Sequence, residues 1–210
     1  MRKLAEGAEA DVYEGSFIGM DVIVKRRRRK PYIAAELEED LRLRRTKNEA
    51  RIIGVASERG ISVPPVLMVG LDAIYMGRVD GEPLSSYIAH AGRGARQRIF
   101  ASAGAALMEM HRLGIAHGDY TPANMLVDRA RRLWIIDFGL AAQSASTEDK
   151  ALDVLLLKRA VSAIDYDAFV KAYSRHNGAA QVLRKLADIE RRGRYQARSL
   201  AESEEPQGSD

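Results

Sequence analysis

Two short segments constrain this chain more than any others: His117-Gly118-Asp119-Tyr120-Thr121-Pro122-Ala123-Asn124, and then Trp134-Ile135-Ile136-Asp137-Phe138-Gly139. In the first, an Asp and an Asn stand five residues apart in a loop between two apolar segments. In the second, an Asp ends a strand-like apolar run and meets Phe-Gly. Their spacing is compatible with two loops that meet at one place. Asp119 suits taking or orienting a proton there, and Asn124 and Asp137 suit holding magnesium, a hard cation that prefers oxygen ligands. Pro122 stiffens the first loop. The apolar run Leu133-Trp134-Ile135-Ile136 buries the strand that aims Asp137.

Composition narrows the frame. A chain of 210 residues, 46% hydrophobic, suits one compact protein or two small lobes around a cleft. The absence of cysteine excludes disulfides and cysteine-ligated metals and favours an intracellular setting. No signal peptide stands at the N-terminus, and no apolar stretch approaches the roughly 18 residues of a membrane span. A soluble, cytoplasmic protein is expected. The net charge of +4 is unevenly spread. Arg26 to Lys30 is an unbroken basic run, Arg42, Arg44, Arg45, Lys47 and Arg51 follow, and Arg191, Arg192, Arg194 and Arg198 lie near the C-terminus. Such clusters fit a polyanion, and they equally fit a solvated arginine-rich surface.

Hydrophobic periodicity divides the chain into elements. Residues 1–25 read as strands, with a hairpin between Val12–Gly19 and Met20–Lys25. Residues 34–59 lack proline and internal glycine until Gly54 and read as a helix, which Gly60 and Pro64-Pro65 end. Two strands flank Gly70-Leu71-Asp72, and Gly77 to Pro83 reads as a linker between lobes. Residues 95–113 form a helix with Ile99, Ala103, Leu107 and Met110 on its apolar stripe, capped by Gly114. A hairpin turns at Asp128-Arg129-Ala130-Arg131. Helices are predicted over 148–163, 165–175 and 179–191. Residues 199–210 are expected to be disordered.

This order of elements and motifs resembles the protein-kinase-like fold: α+β, two-lobed, with a β-rich N-lobe over 1–78 and a reduced helical C-lobe over 79–198. The resemblance implies ATP and magnesium as cofactors. Gly7-Ala8-Glu9-Ala10-Asp11-Val12 stands where a glycine-rich turn covers ATP phosphates, although one glycine remains of three expected. Gly7, Ala8, Glu9, Ala10 and Val12 are candidate nucleotide contacts, as are Met76, Gly77 and Val79 at the linker. Lys25, at the end of Val22-Ile23-Val24, is the candidate phosphate-binding lysine. Its helix partner is sought among Glu36, Glu38, Glu39 and Glu49. Glu49 is favoured, because Ile52 and Ile53 give it an apolar side. His117 and His111 read as packed scaffold histidines.

At finer grain the chain resembles the small atypical kinase of the KEOPS complex, the family called PRPK-like in eukaryotes. The motifs that carry this, in order, are Gly7-Ala8-Glu9-Ala10, Lys25 with the basic residues and Tyr32, and Arg45-Thr46-Lys47-Asn48-Glu49-Ala50-Arg51. After the two opening segments come Glu148-Asp149-Lys150-Ala151-Leu152-Asp153 and a basic Arg191-Arg192-Gly193-Arg194 tail. The resemblance implies an ATP- and magnesium-dependent kinase that acts mainly as an ATPase. It also implies a threonylcarbamoyladenosine synthase subunit and other KEOPS subunits as partners, and support of adenosine 37 modification in tRNA. The arginine tail is expected to serve RNA rather than folding.

Three departures matter. Gly118 replaces the arginine that protein kinases carry between His and Asp. No Ala-Pro-Glu follows Gly139, so an ordinary activation loop and peptide platform have no room. Gly77 and Arg78 replace the acid and aromatic expected of the family. The alternatives are a RIO-type kinase, a small-molecule phosphotransferase, and a non-catalytic pseudokinase. The second expects a longer C-lobe than residues 140–210 supply, and retention of Lys25, Asp119, Asn124 and Asp137 speaks against the third.

Overall fold

The fold is seen in a computed structural model that describes residues 1–143 and 146–204, the stretch 194–204 as backbone only. The N-terminal half is a five-stranded antiparallel sheet in the order β1-β2-β3-β5-β4. Its strands are β1 (Arg2–Glu6), β2 (Ala10–Phe17), β3 (Met20–Arg27), β4 (Val66–Val69) and β5 (Ala73–Gly77), with helix α1 (Ala35–Glu58) inserted between β3 and β4. The hairpin β2–β3 turns at Ile18-Gly19, both with positive φ, and runs in register from Phe17↔Met20 to Ala10↔Arg27.

Side chains alternate across β3, and the alternation makes its two faces chemically different. Val22 and Val24 join Ala73, Tyr13, Phe17 and Tyr75 in a small cluster on one face. Lys25 and Arg27, also buried, point to the other face. Helix α1 presents Glu49, Ile52, Ile53 and Ala56 as buried residues at helical spacing. Ile52, Ile53 and Ala56 join the main core, which continues through the C-terminal half.

That half contains β6 (Gly81–Pro83), α2 (Leu84–His90), α3 (Arg93–Arg112), β7 (Ile115–Ala116), β8 (Met125–Asp128), β9 (Leu133–Ile135), β10 (Ala142–Gln143), α4 (Thr147–Ala160), α5 (Ala163–Tyr173) and α6 (Ala179–Glu204). Strands β6, β8 and β9 form a three-stranded sheet, and β7 pairs with β10. All four apolar residues expected on α3 are buried. Leu113 ends α3, and Gly114 follows it at φ +71°. No helix among the described residues is long and apolar enough to cross a membrane.

Three expectations are corrected. Residues 77–83 are only partly a linker: Gly81–Pro83 pairs with β8, so the crossover between the two sheets narrows to Arg78-Val79-Asp80. Helix α2 follows at once and has no counterpart in the elements expected from periodicity. Helix α6 does not end at 191 but continues to Glu204, into the stretch expected to be disordered. Ala, Glu and Arg dominate residues 190–204, and the first proline beyond is Pro206, so nothing local stops the helix. Residues 205–210 lie outside those described.

Helices α3 and α5 approach closely at Gly104, where an added Cβ would stand 2.2 Å from the Phe169 carbonyl oxygen. Gly104→Ala gains roughly 1 kcal/mol of helix propensity. Overpacking against rigid backbone costs about 1–3 kcal/mol or more. Net destabilisation is the expected outcome, read as a lower denaturation midpoint with an unchanged m-value.

Candidate active site

The centre of the site is Lys25. Its Nζ donates to Glu49 Oε1 at 2.7 Å and to Asp137 Oδ1 at 2.5 Å. Of the four acids weighed for Lys25, Glu49 is the one that meets it. It is 2% exposed, because Ile52 and Ile53 draw that side of α1 into the core. Glu38, also buried, faces Arg42 and the Lys30 backbone instead.

Asp137 leaves the apolar run Leu133–Ile136 in the left-handed region, at φ +60°. This conformation is uncommon for a residue other than glycine, and Asp tolerates it better than most. The turn is closed by Gly139 N–H, which donates to Asp137 Oδ1 at 3.1 Å. Burial pushes the Asp137 carboxyl up. The charge and hydrogen bond of Lys25, helped by Gly139 N–H, outweigh this and hold it below the ordinary carboxylate range.

Asp119 and Asn124 form a second pair. Asn124 Nδ2 donates to the Asp119 carbonyl at 3.0 Å and to its Oδ2 at 2.8 Å. The amide thereby fixes the carboxylate, and its own oxygen is the group left to meet a cation. The two loops are bound directly to each other: Ile136 N–H donates to the Asn124 carbonyl at 2.9 Å.

A carboxylate on α4, not foreseen as a site residue, supports this loop. Asp153 is 1% exposed and accepts from His117 N–H at 2.7 Å, Gly118 N–H at 2.8 Å and His111 Nε2 at 3.1 Å. In the sequence it is visible as the last residue of the Glu148–Asp153 motif, between Leu152 and Val154, with nothing to assign it a role at the site. Gly118 adopts φ +80°, and a Cβ there would stand 2.6 Å from the Leu140 carbonyl. The arginine of protein kinases is therefore sterically excluded from this position. His117 is fully buried, packs with its ring tilted against Phe138 at a centroid distance of 4.9 Å, and bonds the Ile136 carbonyl and Asp119 N–H, as a scaffold residue should.

The loops open onto a cavity of about 370 Å³. Val12, Met76, Gly77 and Val79 line it, together with Lys25, Asn124 and Asp137. Ile23, Ile53, Leu126 and Ile136 supply further apolar wall. Ile23 is legible from its alternation with Lys25, and Leu126 lies two residues from Asn124. An apolar slot with Lys25, Asn124 and Asp137 among its lining fits a purine nucleotide with its phosphates and a hard cation. Gly77 N–H is occupied by the Pro65 carbonyl at 2.9 Å, so only its carbonyl is left for a nucleotide base.

Gly7, Ala8, Glu9 and Ala10 are not among the residues that line this cavity. Their turn closes on itself through Gly7 N–H to the Ala10 carbonyl at 3.0 Å, and a Cβ on Gly7 would meet that oxygen at 2.8 Å. Glu9 turns away to Lys30 at 2.6 Å and Arg45 at 2.8 Å. The glycine thus answers to the turn's own closure.

The chain matches the model of the RIO domain over residues 16–185. It is 34% identical to the KEOPS complex subunit Bud32 of Pyrococcus abyssi, over 95% of this chain and 98% of that one. It is 32% identical to a probable bifunctional tRNA threonylcarbamoyladenosine biosynthesis protein of Methanococcus vannielii, over 91% of this chain but 36% of that protein. The chain thus spans about a third of such bifunctional relatives. In fold it is similar to the Rio2 kinase in an ADP/Mg²⁺-phosphoaspartate complex from Chaetomium thermophilum. The TM-score there is 0.64 at 17% identity, covering 93% of this chain and 70% of that one.

The scaffold carries a pH signature. Burial lowers the pKa of His111 from its ordinary 6.5, against the raising effect of Asp153. The neutral ring satisfies both partners, with Nε2–H donating to Asp153 and Nδ1 accepting from Tyr173 O–H at 2.8 Å. Below pH 6.5 the unfolded chain takes up a proton that the folded one refuses, so stability falls as pH falls. His111→Gln is expected to make that decline shallower by up to about 1.4 kcal/mol per pH unit, the slope for one proton. Urea unfolding between pH 7 and pH 5 measures it.

Proposed function

This chain belongs to the RIO-domain family and, within it, to the Bud32 proteins, and on that premise we propose that it is the magnesium-dependent ATPase and atypical serine/threonine kinase subunit of a KEOPS complex. There it supports threonylcarbamoyladenosine modification of tRNA adenosine 37, beside the threonylcarbamoyladenosine synthase subunit. The observation that carries the reading is the convergence of Lys25, Asn124 and Asp137 on one cavity, with Glu49 buried behind Lys25.

The roles follow from the chemistry of each group. Magnesium bound with ATP neutralises the charge that develops on the phosphates. Asp137 and Asn124 are the oxygen donors that would hold it. Lys25 binds the phosphates as a cation kept in place by Glu49. Asp119, fixed by Asn124, orients the attacking water or hydroxyl. Val12, Met76 and Val79 enclose the base. The lobe boundary falls at Arg78, where the chain passes from one sheet to the other. Only residues 140–146 separate Gly139 from α4, which leaves no peptide platform and favours water or a partner's hydroxyl as acceptor.

Purified protein is expected to turn over ATP slowly and only with magnesium, faster beside its synthase partner. Asp119→Asn should keep nucleotide binding and lose about 10²–10⁴-fold in turnover, the range for a group that positions or moves a proton. A coupled assay of phosphate release alongside fluorescent-nucleotide titration separates the two. Equal turnover in Asp137→Ala and wild type would overturn the assignment.

Helix α6 is the proposed RNA-facing element. Its first part belongs to the fold, since Val182 and Leu186 are buried. Arg191 and Arg192 are not free: they pair with Asp188 at 2.9 Å and Glu148 at 3.4 Å. Both arginine side chains are about 60% exposed, and ion pairs this exposed are worth little, so phosphates can replace the acids. Replacing Arg191, Arg192, Arg194 and Arg198 by Gln should leave the unfolding midpoint unchanged. It should flatten the log–log salt dependence of tRNA binding by the assembled complex, by about 0.7–0.9 per lost phosphate contact.

A further inference from the structure

A second, smaller cavity lies where the end of β3 meets α1, and none of its basic residues lines the nucleotide cavity. Arg27, the last residue of β3, lines it with Arg28 and Lys30 just beyond and with Arg42 and Arg45 from α1. Its volume is about 90 Å³. Pockets for organic ligands run to roughly 300–1,000 Å³, so this one admits a group the size of a phosphate rather than a nucleotide. Two acids also line it, and both are already divided between donors. Glu9 accepts from Lys30 Nζ at 2.6 Å and from Arg45 Nη1 at 2.8 Å. Glu38 Oε1 accepts from Lys30 N–H at 3.3 Å and stands 3.3 Å from Arg42 Nε. That last approach lacks the alignment of a hydrogen bond, so the buried Arg42 Nε–H stays unsatisfied. Arg27 is 6% exposed, and its Nε–H also has no acceptor among the described residues. The acids outside the cavity are taken by other atoms. Glu49 Oε2 accepts from Arg27 Nη2 at 2.5 Å, Asp72 from Arg42 Nη1 at 3.3 Å, and Asp11 from Arg28 Nε at 2.9 Å, while Glu6 also pairs with Arg28.

We propose that this cavity is a binding site for a phosphate group, held by Arg27, Arg42 and Lys30 and reached from solvent beside the exposed Tyr32. A buried N–H without an acceptor is costly, and two on neighbouring guanidiniums call for a ligand rich in acceptors. A water satisfies such a donor but leaves the charge unanswered, and the lining sets five cations against two carboxylates. A phosphate supplies both charge and several acceptor oxygens, and arginine meets it with short, charge-assisted bonds. The bound group fastens the first half of α1 to the end of β3 and leaves the Lys25–Glu49 pair in place. The site therefore stands apart from the ATP-turnover reading and does not rest on it. Two sources offer the same chemistry: inorganic phosphate, and the backbone of an RNA.

The test titrates inorganic phosphate into the full chain at constant ionic strength, with chloride as the control anion, and follows binding heat and the thermal midpoint. The variants are Arg42→Gln, Lys30→Gln, Glu38→Gln and Arg44→Gln. Arg44 is an exposed arginine of α1 that does not line the cavity, so its loss changes the net charge and spares the site. Wild type should bind phosphate and gain a higher midpoint, and chloride should give neither. Arg42→Gln and Lys30→Gln should each weaken binding about 10-fold to 100-fold, the range for one lost hydrogen bond to a charged group. Glu38→Gln should tighten it, because the carboxylate repels the anion. Arg44→Gln should bind as wild type does. A parallel tRNA titration of the assembled complex separates the two sources. For an RNA phosphate, Arg42→Gln weakens tRNA binding, Arg44→Gln does not, and inorganic phosphate competes. For free phosphate, Arg42→Gln leaves tRNA binding as it was; either result keeps the site. Equal phosphate binding in wild type and Arg42→Gln, an equal response to chloride, weaker binding in Glu38→Gln, or a loss in Arg44→Gln as large as in Arg42→Gln would each overturn the proposal. Should Arg42→Gln fail to fold, Lys30→Gln decides by the same titrations. The phosphate arm needs neither ATP nor the complex, so it decides the site even where ATP turnover is absent.

Discussion

Glu49 carries the connection between the sheet and helix α1, and the rest of the site follows from it. A carboxylate this deeply buried is tolerable only when its charge is compensated and its oxygens are bonded. Lys25 and Arg27 meet both conditions, one oxygen each. Such a network contributes little net stability compared with an apolar core of equal volume. Its value is geometric, because any other placement of α1 would strand charges in the interior. The same condition fixes Lys25, and Lys25 in turn fixes the side chain of Asp137 at the end of its strand.

A second buried carboxylate does the corresponding work beneath the loop that carries Asp119. Asp153 holds two successive backbone N–H groups, those of His117 and Gly118, and so sets the direction in which the chain enters the loop. The left-handed turn at Gly118 and its approach to Leu140 then leave no space for a side chain. Around this polar frame stand Tyr120, Phe138, Phe169 and Tyr173, each at most 1% exposed. Their packing keeps water from competing for the carboxylate. Each anchor is an acid on a helix, and each fixes a segment far from it in sequence.

Much of the site is legible in the residues alone. Asp119, Asn124 and Asp137 stand out because their residue types and spacing suit magnesium and a proton. Glu49 is separable from Glu36, Glu38 and Glu39 because Ile52 and Ile53 give one side of the helix to the core. The element types are legible because apolar residues recur at periods of 2 or 3.6. The Gly7–Ala10 turn lies outside the lining of the cavity, although its glycine looks like a remnant of a phosphate loop. Its conformation is set by its own closure, and Glu9 is drawn off by Lys30 and Arg45. Arg27 is hidden inside a run of six basic residues, Lys25 to Lys30, where composition gives no hint that Arg27 is buried and its neighbour Arg26 exposed.

The sequence by itself determined most of the local elements and the residue types able to bind phosphate and cation. Each of these depends on neighbours within a few positions. Only the tertiary structure decided which charges are paired and which are free. Lys25 meets Glu49 across 24 positions and Asp137 across 112, and Asp153 reaches His117 across 36. Of these, the Lys25–Glu49 pairing alone is foreshadowed locally, by the apolar Ile52 and Ile53 beside Glu49; no local pattern encodes the other two. They are selected when the chain closes, because burial makes an unpaired charge intolerable and admits only the arrangement in which every buried carboxylate finds its donors.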